Sequence, residues 1–322
     1  MSIYGENSRF KLIRCASDDD WREQRTKGIG GSDVAALMGL SPWKTPLQLW
    51  LEKTGREQPE DISERPYVAF GTTMEPVIGA WYKKEHPAMQ VRRVNAIAQA
   101  IDRPWAQASL DYEIRDYASQ TWGVLEIKTA RNAKDWQDGV PLYYQTQVIH
   151  YLSVTGREYA HVAVFFRDTC EYQVFLIRPD KRDLKAVTDA VDTFWHDYVE
   201  KDVMPAVQHQ DVATLADMYQ DTTGAIEPAD DPDTLDGLIL SYRAAGESEK
   251  QAKEHKATYA AKIMELIGDA KGLETPRFTV TSVRSKTQRL DTKRLKEEHP
   301  DIYAQYTTET FRNGGLRIKE QK

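Results

Sequence analysis

Glu126 and Lys128 stand two residues apart in Gly123-Val-Leu-Glu-Ile-Lys-Thr129, a run that otherwise reads as a buried strand. Successive strand side chains alternate faces, so Val124, Glu126 and Lys128 share one face, and Leu125 and Ile127 the other. A carboxylate beside an ammonium on a half-buried strand is costly unless the two pair or bind something. An acidic metal ligand next to a lysine is what metal-dependent phosphodiester cleavage requires. The triplet alone is weak evidence, since acid-x-Lys occurs six times in the chain, against about three expected from composition. Only Glu126/Lys128 is framed by apolar residues, and the other five lie in polar, charged segments.

Other polar residues could serve the same chemistry. Asp111 ends the strand-like run Ala-Gln-Ala-Ser-Leu-Asp, and a loop between antiparallel strands would set it opposite Glu126. Two carboxylates with the backbone carbonyl of Ile127 would form a hard oxygen site suited to Mg²⁺ or Mn²⁺. The alternative is a pair of strand-end acids facing solvent. Glu75 falls in the first turn of a helix capped by Thr72 or Thr73, where the helix dipole favours an acid whatever its role. Gln145 and Gln147 lie on an otherwise mostly apolar helix and face different sides, either one toward the site and the other toward a buried contact, or both as ordinary surface glutamines. Arg25, Ser32, Ser109, Arg131 and Lys134 are candidate phosphate contacts. Gly28, Gly30 and Gly31 lead into a helix whose first N–H groups could meet a phosphate, or they form a plain turn before a capped helix. The run lacks the Gly-Lys-Ser/Thr end of a Walker loop, and no strand clearly precedes it as a dinucleotide fingerprint requires.

The elements that must position these residues follow a mixed pattern. Two short helices fall within 20–55, the first capped by Ser32 or Asp33 and the second started by Pro46. Strands are expected near 90–98, 105–114 and 122–129, a helix over 141–154, strands at 159–167 and 171–178, and a helix through Val191, Phe194, Trp195 and Tyr198. That order predicts an α/β (α+β) fold, a central mixed sheet flanked by helices. The division expected is a catalytic domain over 1–205, an acidic linker over 206–236 and a C-terminal extension over 237–322. The extension would hold a long helix at 237–268, a short strand from Phe278, a basic helix near 291–299 and a final strand at 316–320.

Composition narrows the function classes. Two cysteines are too few for a disulfide framework, a structural zinc site or an iron–sulfur cluster. No apolar run is long enough for a membrane span, and the N-terminus lacks a signal-peptide core, so an intracellular protein is expected. His86, His150 and His161 are isolated, and no Ser/His/Asp grouping stands out. The net charge of −7 hides an uneven distribution. Residues 205–240 carry eight acids and no Lys or Arg, whereas Lys271–Lys322 is locally basic. Such a local field suits a nucleic-acid enzyme, and equally a solvated linker and tail.

Over roughly 20–205 the chain resembles the phage lambda exonuclease / YqaJ-type viral recombinase nucleases of the PD-(D/E)XK class. The resemblance rests on Trp21, Arg25, Ile29-Gly-Gly-Ser-Asp33, Phe70-Gly-Thr-Thr-Met-Glu75, Ser109-Leu-Asp111, Leu125-Glu-Ile-Lys128, Tyr143-Tyr-Gln-Thr-Gln147 and Val154-Thr-Gly156. It implies a PD-(D/E)XK restriction-endonuclease-like core. Asp111, Glu126 and the Ile127 carbonyl would be metal ligands, Lys128 the catalytic lysine, Glu75 a holder of a second ion or its waters, and Gln145 the residue orienting the nucleophile or Lys128. Arg25, Ser32 and Ser109 would hold a terminal 5′-phosphate, with Lys134 or Arg131 as a further basic contact. Leu110 stands where the family has Pro, and Tyr112 where a small residue is frequent. Pro there is a turn preference rather than a reacting group. The implied activity is Mg²⁺-dependent 5′-to-3′ digestion of double-stranded DNA, with Mn²⁺ able to substitute and two ions in the site. The 3′ overhangs would pass to a single-strand annealing protein of the Bet/RecT type. A homo-oligomeric ring and the cytoplasm of a bacterial host, with phage or prophage origin, are implied as well. An endonuclease on the same fold, or a decayed DNA-binding scaffold, would share many of these residues.

Overall fold

The computed structural model describes residues 8–219, 224–283, 285–308 and 315–320. The chain divides into two units, Met1–Met218 and Tyr219–Lys322. Unit 1 runs β1 (Phe10–Ile13), α1 (Asp18–Thr26), α2 (Gly31–Leu37), α3 (Pro46–Lys53), α4 (Pro66–Glu85), β2 (Met89–Arg93), β3 (Ile97–Ala100), β4 (Gln107–Ser109), β5 (Tyr112–Asp116) and β6 (Trp122–Ala130). It continues with α5 (Leu142–Thr155), β7 (Tyr159–Phe166), β8 (Glu171–Ile177), α6 (Lys181–Thr193) and α7 (Val212–Met218).

The central sheet has the order β2-β5-β6-β7-β8, antiparallel except for the parallel pair β6/β7. Parallel neighbours need a crossover, and α5 supplies it. Helices flank this mixed sheet, the α/β arrangement that the order of elements predicts. A smaller antiparallel sheet has the order β1-β3-β4. Alternation along β6 sends Val124 into a core with Val148, Leu152 and Val162 below α5. Leu125 and Ile127 enter a second core with Ile78 and Tyr82 of α4. The sheet is therefore buried on both faces, which explains the near-continuous apolar run of β6.

Several boundaries differ from the sequence reading. Three helices rather than two cover 18–53. The N-cap of α2 is Gly30, and Asp33 accepts its N–H, so neither Ser32 nor Asp33 is the cap. Each of the strand-like runs 90–98 and 105–114 is two strands, because the chain crosses between the two sheets within it. Helix α4 starts at Pro66, with proline at its favoured first position. Thr72 and Thr73 then lie inside it, and their hydroxyls donate to the carbonyls of Val68 and Ala69. Glu75 is consequently a mid-helix residue followed by Pro76, whose missing N–H leaves the Thr72 carbonyl without its helical donor.

The acidic segment expected as a linker folds in part onto unit 1. Asp211 is fully buried and accepts the Thr45 hydroxyl and the Gln208 N–H. Leu215 and Met218 pack against the core around Leu47 and Trp50. Unit 2 contains α8 (Pro232–Ile267), a hairpin of β9 (Gly272–Glu274) and β10 (Thr279–Thr281), then α9 (Thr292–Glu298) and α10 (Pro300–Gln305). The short strand expected from Phe278 is reduced to β10, with Arg284 outside the described residues, and residues 316–320 form no strand. Among the described residues no helix is long and apolar enough to cross a membrane.

Removing a buried acceptor leaves its donors unsatisfied and costs about 1–3 kcal/mol. Asp211→Ala should therefore lower the unfolding free energy of unit 1 by that order, read as a lower denaturant midpoint at unchanged slope. An unchanged midpoint would mean that residues 206–218 are a free tether after all.

Candidate active site

Strand β4 ends at Ser109, buried Leu110 anchors the crossing between sheets, and Asp111 precedes β5. Pairing of β5 with β6 reaches only Tyr112 opposite Leu125. Beyond that pair the edge of β6 is taken by a side chain, as Asp111 Oδ2 accepts the Ile127 N–H at 2.8 Å. In a strand the N–H and C=O of one residue lie on the same edge, so the Ile127 carbonyl is presented on the Asp111 side too. Continuing the register places Asp111 opposite Glu126, the juxtaposition expected from the sequence.

Glu126 is buried, and its Oε1 accepts from Lys128 Nζ and from Gln147 Nε2, each at 2.7 Å. Its Oε2 is buried without a hydrogen-bond partner among the described residues. Glu113 on β5 offers the contrast. It is also fully buried, but Arg157 donates to it twice, at 2.6 and 3.0 Å, and Arg92 pairs with it. Glu113 is a structural acid saturated by guanidinium, whereas Glu126 keeps an oxygen for something else. Burial and then the Glu126 charge raise the Asp111 carboxyl well above the ordinary carboxylate range. Burial raises Glu126 too, against the opposing pull of Lys128. Burial would lower Lys128, but Glu126 and its neighbours hold it above the usual lysine range, so its ammonium persists. Two crowded carboxyls, an orphaned buried oxygen and an edge carbonyl fit a hard divalent cation.

Two adjoining clefts, of about 210 and 260 Å³, meet at this edge and share Glu75 and Asp111 in their walls. Glu75 is turned toward Arg93, which donates to it at 2.9 Å. Among the described residues no three His, Cys, Asp or Glu converge into a ready-made cage. Ser109 and Trp21 line the first cleft, and Arg25 stacks over Trp21 with its guanidinium 4.8 Å from the ring. Arg25 also donates to Ser32 Oγ at 2.8 Å. Arg131 is exposed beside Asp168, and Lys134 is exposed in a short 3₁₀ turn, so neither lines the clefts.

The glutamines resolve against the assignment made from sequence. Gln145 donates to the Val140 carbonyl at 2.6 Å and makes a turn contact. Gln147 is the one that meets Glu126, and it also donates to the Tyr151 hydroxyl one turn on. Sequence reasoning missed Tyr151, although its i+4 spacing from Gln147 on α5 was a usable signal. It also missed Tyr144, whose ring lies 4.7 Å from Lys128 Nζ.

The glycine run has a packing reason. A Cβ on Gly31 would come within 2.3 Å of Tyr151 Cε1 and 3.0 Å of Gln147 Cγ. The start of α2 thus closes directly over the pair that braces Glu126. On the other side Asp33 is buried against Lys53 at 2.8 Å and lies 3.7 Å from Arg25. Burial alone would raise Asp33, but Lys53 and Arg25 hold it well below the carboxylate range. Lys53 also donates to the Arg25 carbonyl at 2.8 Å, which ties the Arg25 backbone to this pair.

The raised Asp111 predicts a pH signature. A carboxyl with a folded value above its unfolded one makes the native state bind the extra proton between the two. The charge then costs stability at pH above the folded value, and the cost fades as pH falls through it. In EDTA, Asp111→Asn should be more stable than wild type at pH 8, and the gain should shrink toward pH 5. A gain independent of pH, or none at pH 8, would contradict this.

The family described as the YqaJ-like viral recombinase domain matches residues 20–158. The uncharacterized protein YqaJ of Bacillus subtilis (strain 168) is 32% identical over 317 residues, spanning 94% of this chain and 94% of that protein. Among solved structures, an alkaline exonuclease (LHK-Exo) from Laribacter hongkongensis aligns at 20% identity with a TM-score of 0.48, covering 62% of this chain and 98% of that one. A phage-related exonuclease from Haemophilus somnus 129PT aligns at 9% identity with a TM-score of 0.42, covering 54% and 94%. With a relative this similar along nearly its whole length, the chain belongs to the YqaJ-like viral recombinase family.

Proposed function

We propose that the chain is a Mg²⁺-dependent exonuclease on double-stranded DNA. It removes nucleotides from a 5′ end and leaves a 3′ overhang for a single-strand annealing protein. The observation that carries this reading is the β6 edge, where buried Glu126 keeps an unpartnered oxygen beside Asp111 and a protonated Lys128. Asp111, Glu126 and the Ile127 carbonyl would hold one cation, and Glu75 a second or its waters. A bound divalent ion supplies Lewis acidity toward the phosphate and lowers the pKa of water. Lys128, paired with Glu126, would orient or deprotonate the attacking water or offset charge developing on the scissile phosphate. Gln147 holds the Glu126 carboxylate in place. Arg25, Ser32 and Ser109 would receive the terminal phosphate, with Arg131 and Lys134 reaching the backbone beyond. The anionic duplex is the natural partner of these cations, and a ring of chains around it would keep it threaded.

Lys128→Ala and Glu126→Gln should each lower Mg²⁺-dependent digestion of linear duplex DNA by ~100-fold or more. A 5′ block should protect the duplex, a 3′ block should not, and a covalently closed circle should survive. Cleavage of the circle would assign the site to an endonuclease, and undiminished digestion by the Lys128 variant would refute the reading.

Loss of a residue that orients a ligand typically costs roughly 10–100-fold in activity or metal affinity. Gln147→Ala should show such a loss while Gln145→Ala retains most activity. The reverse ranking would return the positioning role to Gln145.

A further inference from the structure

Helix α8 spans 36 residues and lies exposed along its length, with only Ile267 at its end buried. Among the described residues no strand or other helix makes more than slight contact with it, and Glu320 pairs with its Arg243 at 2.6 Å. Gly237 and Gly246 stand in its interior, with nothing near the position of a Cβ. Each interior glycine weakens a helix by about 1 kcal/mol relative to alanine. Helices in proteins draw most of their stability from packing an apolar face, and α8 buries only Ile267 within its own unit.

The missing face is written in the sequence at heptad spacing. Leu235, Leu238, Tyr242, Ala245, Glu249 and Ala252 alternate at intervals of four and three, and the pattern continues through Lys256, Tyr259, Ile263 and Leu266. All of them are exposed, Leu238 to 64% and Leu266 to 74%. The seam extends for ~47 Å at the rise of an α-helix; it has heptad spacing, apolar at both ends and interrupted at its centre by Glu249 and Lys256.

We infer that α8 pairs with α8 of a second copy of this chain, antiparallel. The seam is complementary to its own reverse. Run antiparallel, Leu235 faces Leu266, Leu238 faces Ile263 and Tyr242 faces Tyr259 of the second copy. The two charged seam residues then meet small ones, Glu249 opposite Ala252 and Lys256 opposite Ala245. Glu249 of one helix also falls in the layer next to Lys256 of the other, so opposite charges lie diagonally across the seam. Parallel and in register, Glu249 would face Glu249 and Lys256 would face Lys256, burying like charges against each other. The central charges therefore select the direction, and the apolar ends supply the attraction. Such a pair has a two-fold axis and closes at two chains. It is separate from any ring formed through unit 1, and it does not depend on the reaction proposed above.

The test uses the full-length chain. Leu238→Asp with Ile263→Asp should lower the mass measured by light scattering and should leave DNA digestion by unit 1 intact. Direction is read by cross-linking in a Cys15→Ser, Cys170→Ser background. Leu235→Cys with Leu266→Cys should give a disulfide-linked dimer under mild oxidation, and Leu235→Cys alone should not. Glu249→Lys should weaken the dimer about tenfold, and adding Lys256→Glu should restore it. A wild-type mass unchanged by the seam double variant would overturn the inference, and would leave the seam to a different partner. A cross-link through Leu235→Cys alone would overturn it as well, because only parallel helices bring those positions together.

Discussion

A buried carboxylate with one satisfied oxygen and one unsatisfied oxygen is an unstable thing to build into a protein. Glu126 is such a group, and much of unit 1 can be read as its support. Lys128 and Gln147 hold one oxygen, the sheet core fixes β6 on both faces, and Tyr151 braces Gln147 from the next turn of α5. Helix α2 reaches that brace only because position 31 carries no side chain. The other oxygen is left over, beside a second carboxyl that cannot comfortably ionise while Glu126 is charged. A divalent cation relieves both costs together. Glu113, equally buried one strand away, shows the alternative in which arginines satisfy the acid and no capacity remains.

The proposed phosphate contact Arg25 stands on an anchored backbone. Arg25 is a half-buried side chain on a backbone anchored through its carbonyl to Lys53, and Lys53 is locked on Asp33. A long cation on a rigid base loses less freedom on meeting a phosphate than one on a loose loop. The acidic segment up to Met218 is drawn into the same unit by Asp211, so the division of the chain follows packing rather than charge.

Much of the site was legible because its central logic is local. Alternation on β6 puts Glu126 and Lys128 together, and two antiparallel strands put Asp111 opposite, without knowledge of the rest of the fold. What was not legible depends on phase between elements. Gln145 and Gln147 are separated by roughly 200° around a helix, and nothing in the surrounding Tyr, Val and Ile reveals which side meets the sheet. Thr72 and Thr73 look like caps, yet Pro66 starts the helix earlier and the threonines bond back into it. Runs 90–98 and 105–114 look continuous in sequence because a chain passing between two sheets keeps its strand character. The acidic stretch after Pro205 reads as a linker by composition, since the burial of Asp211 is invisible without its partner Thr45.

Calorimetric titration of the metal-free chain with Mn²⁺ tests the central claim most directly, with Glu126→Gln and Asp111→Asn as comparisons. The account predicts binding by the wild type that is lost or strongly weakened in both variants, while their unfolding remains cooperative. Equal Mn²⁺ binding by the wild type and both variants, or none by the wild type, would contradict it.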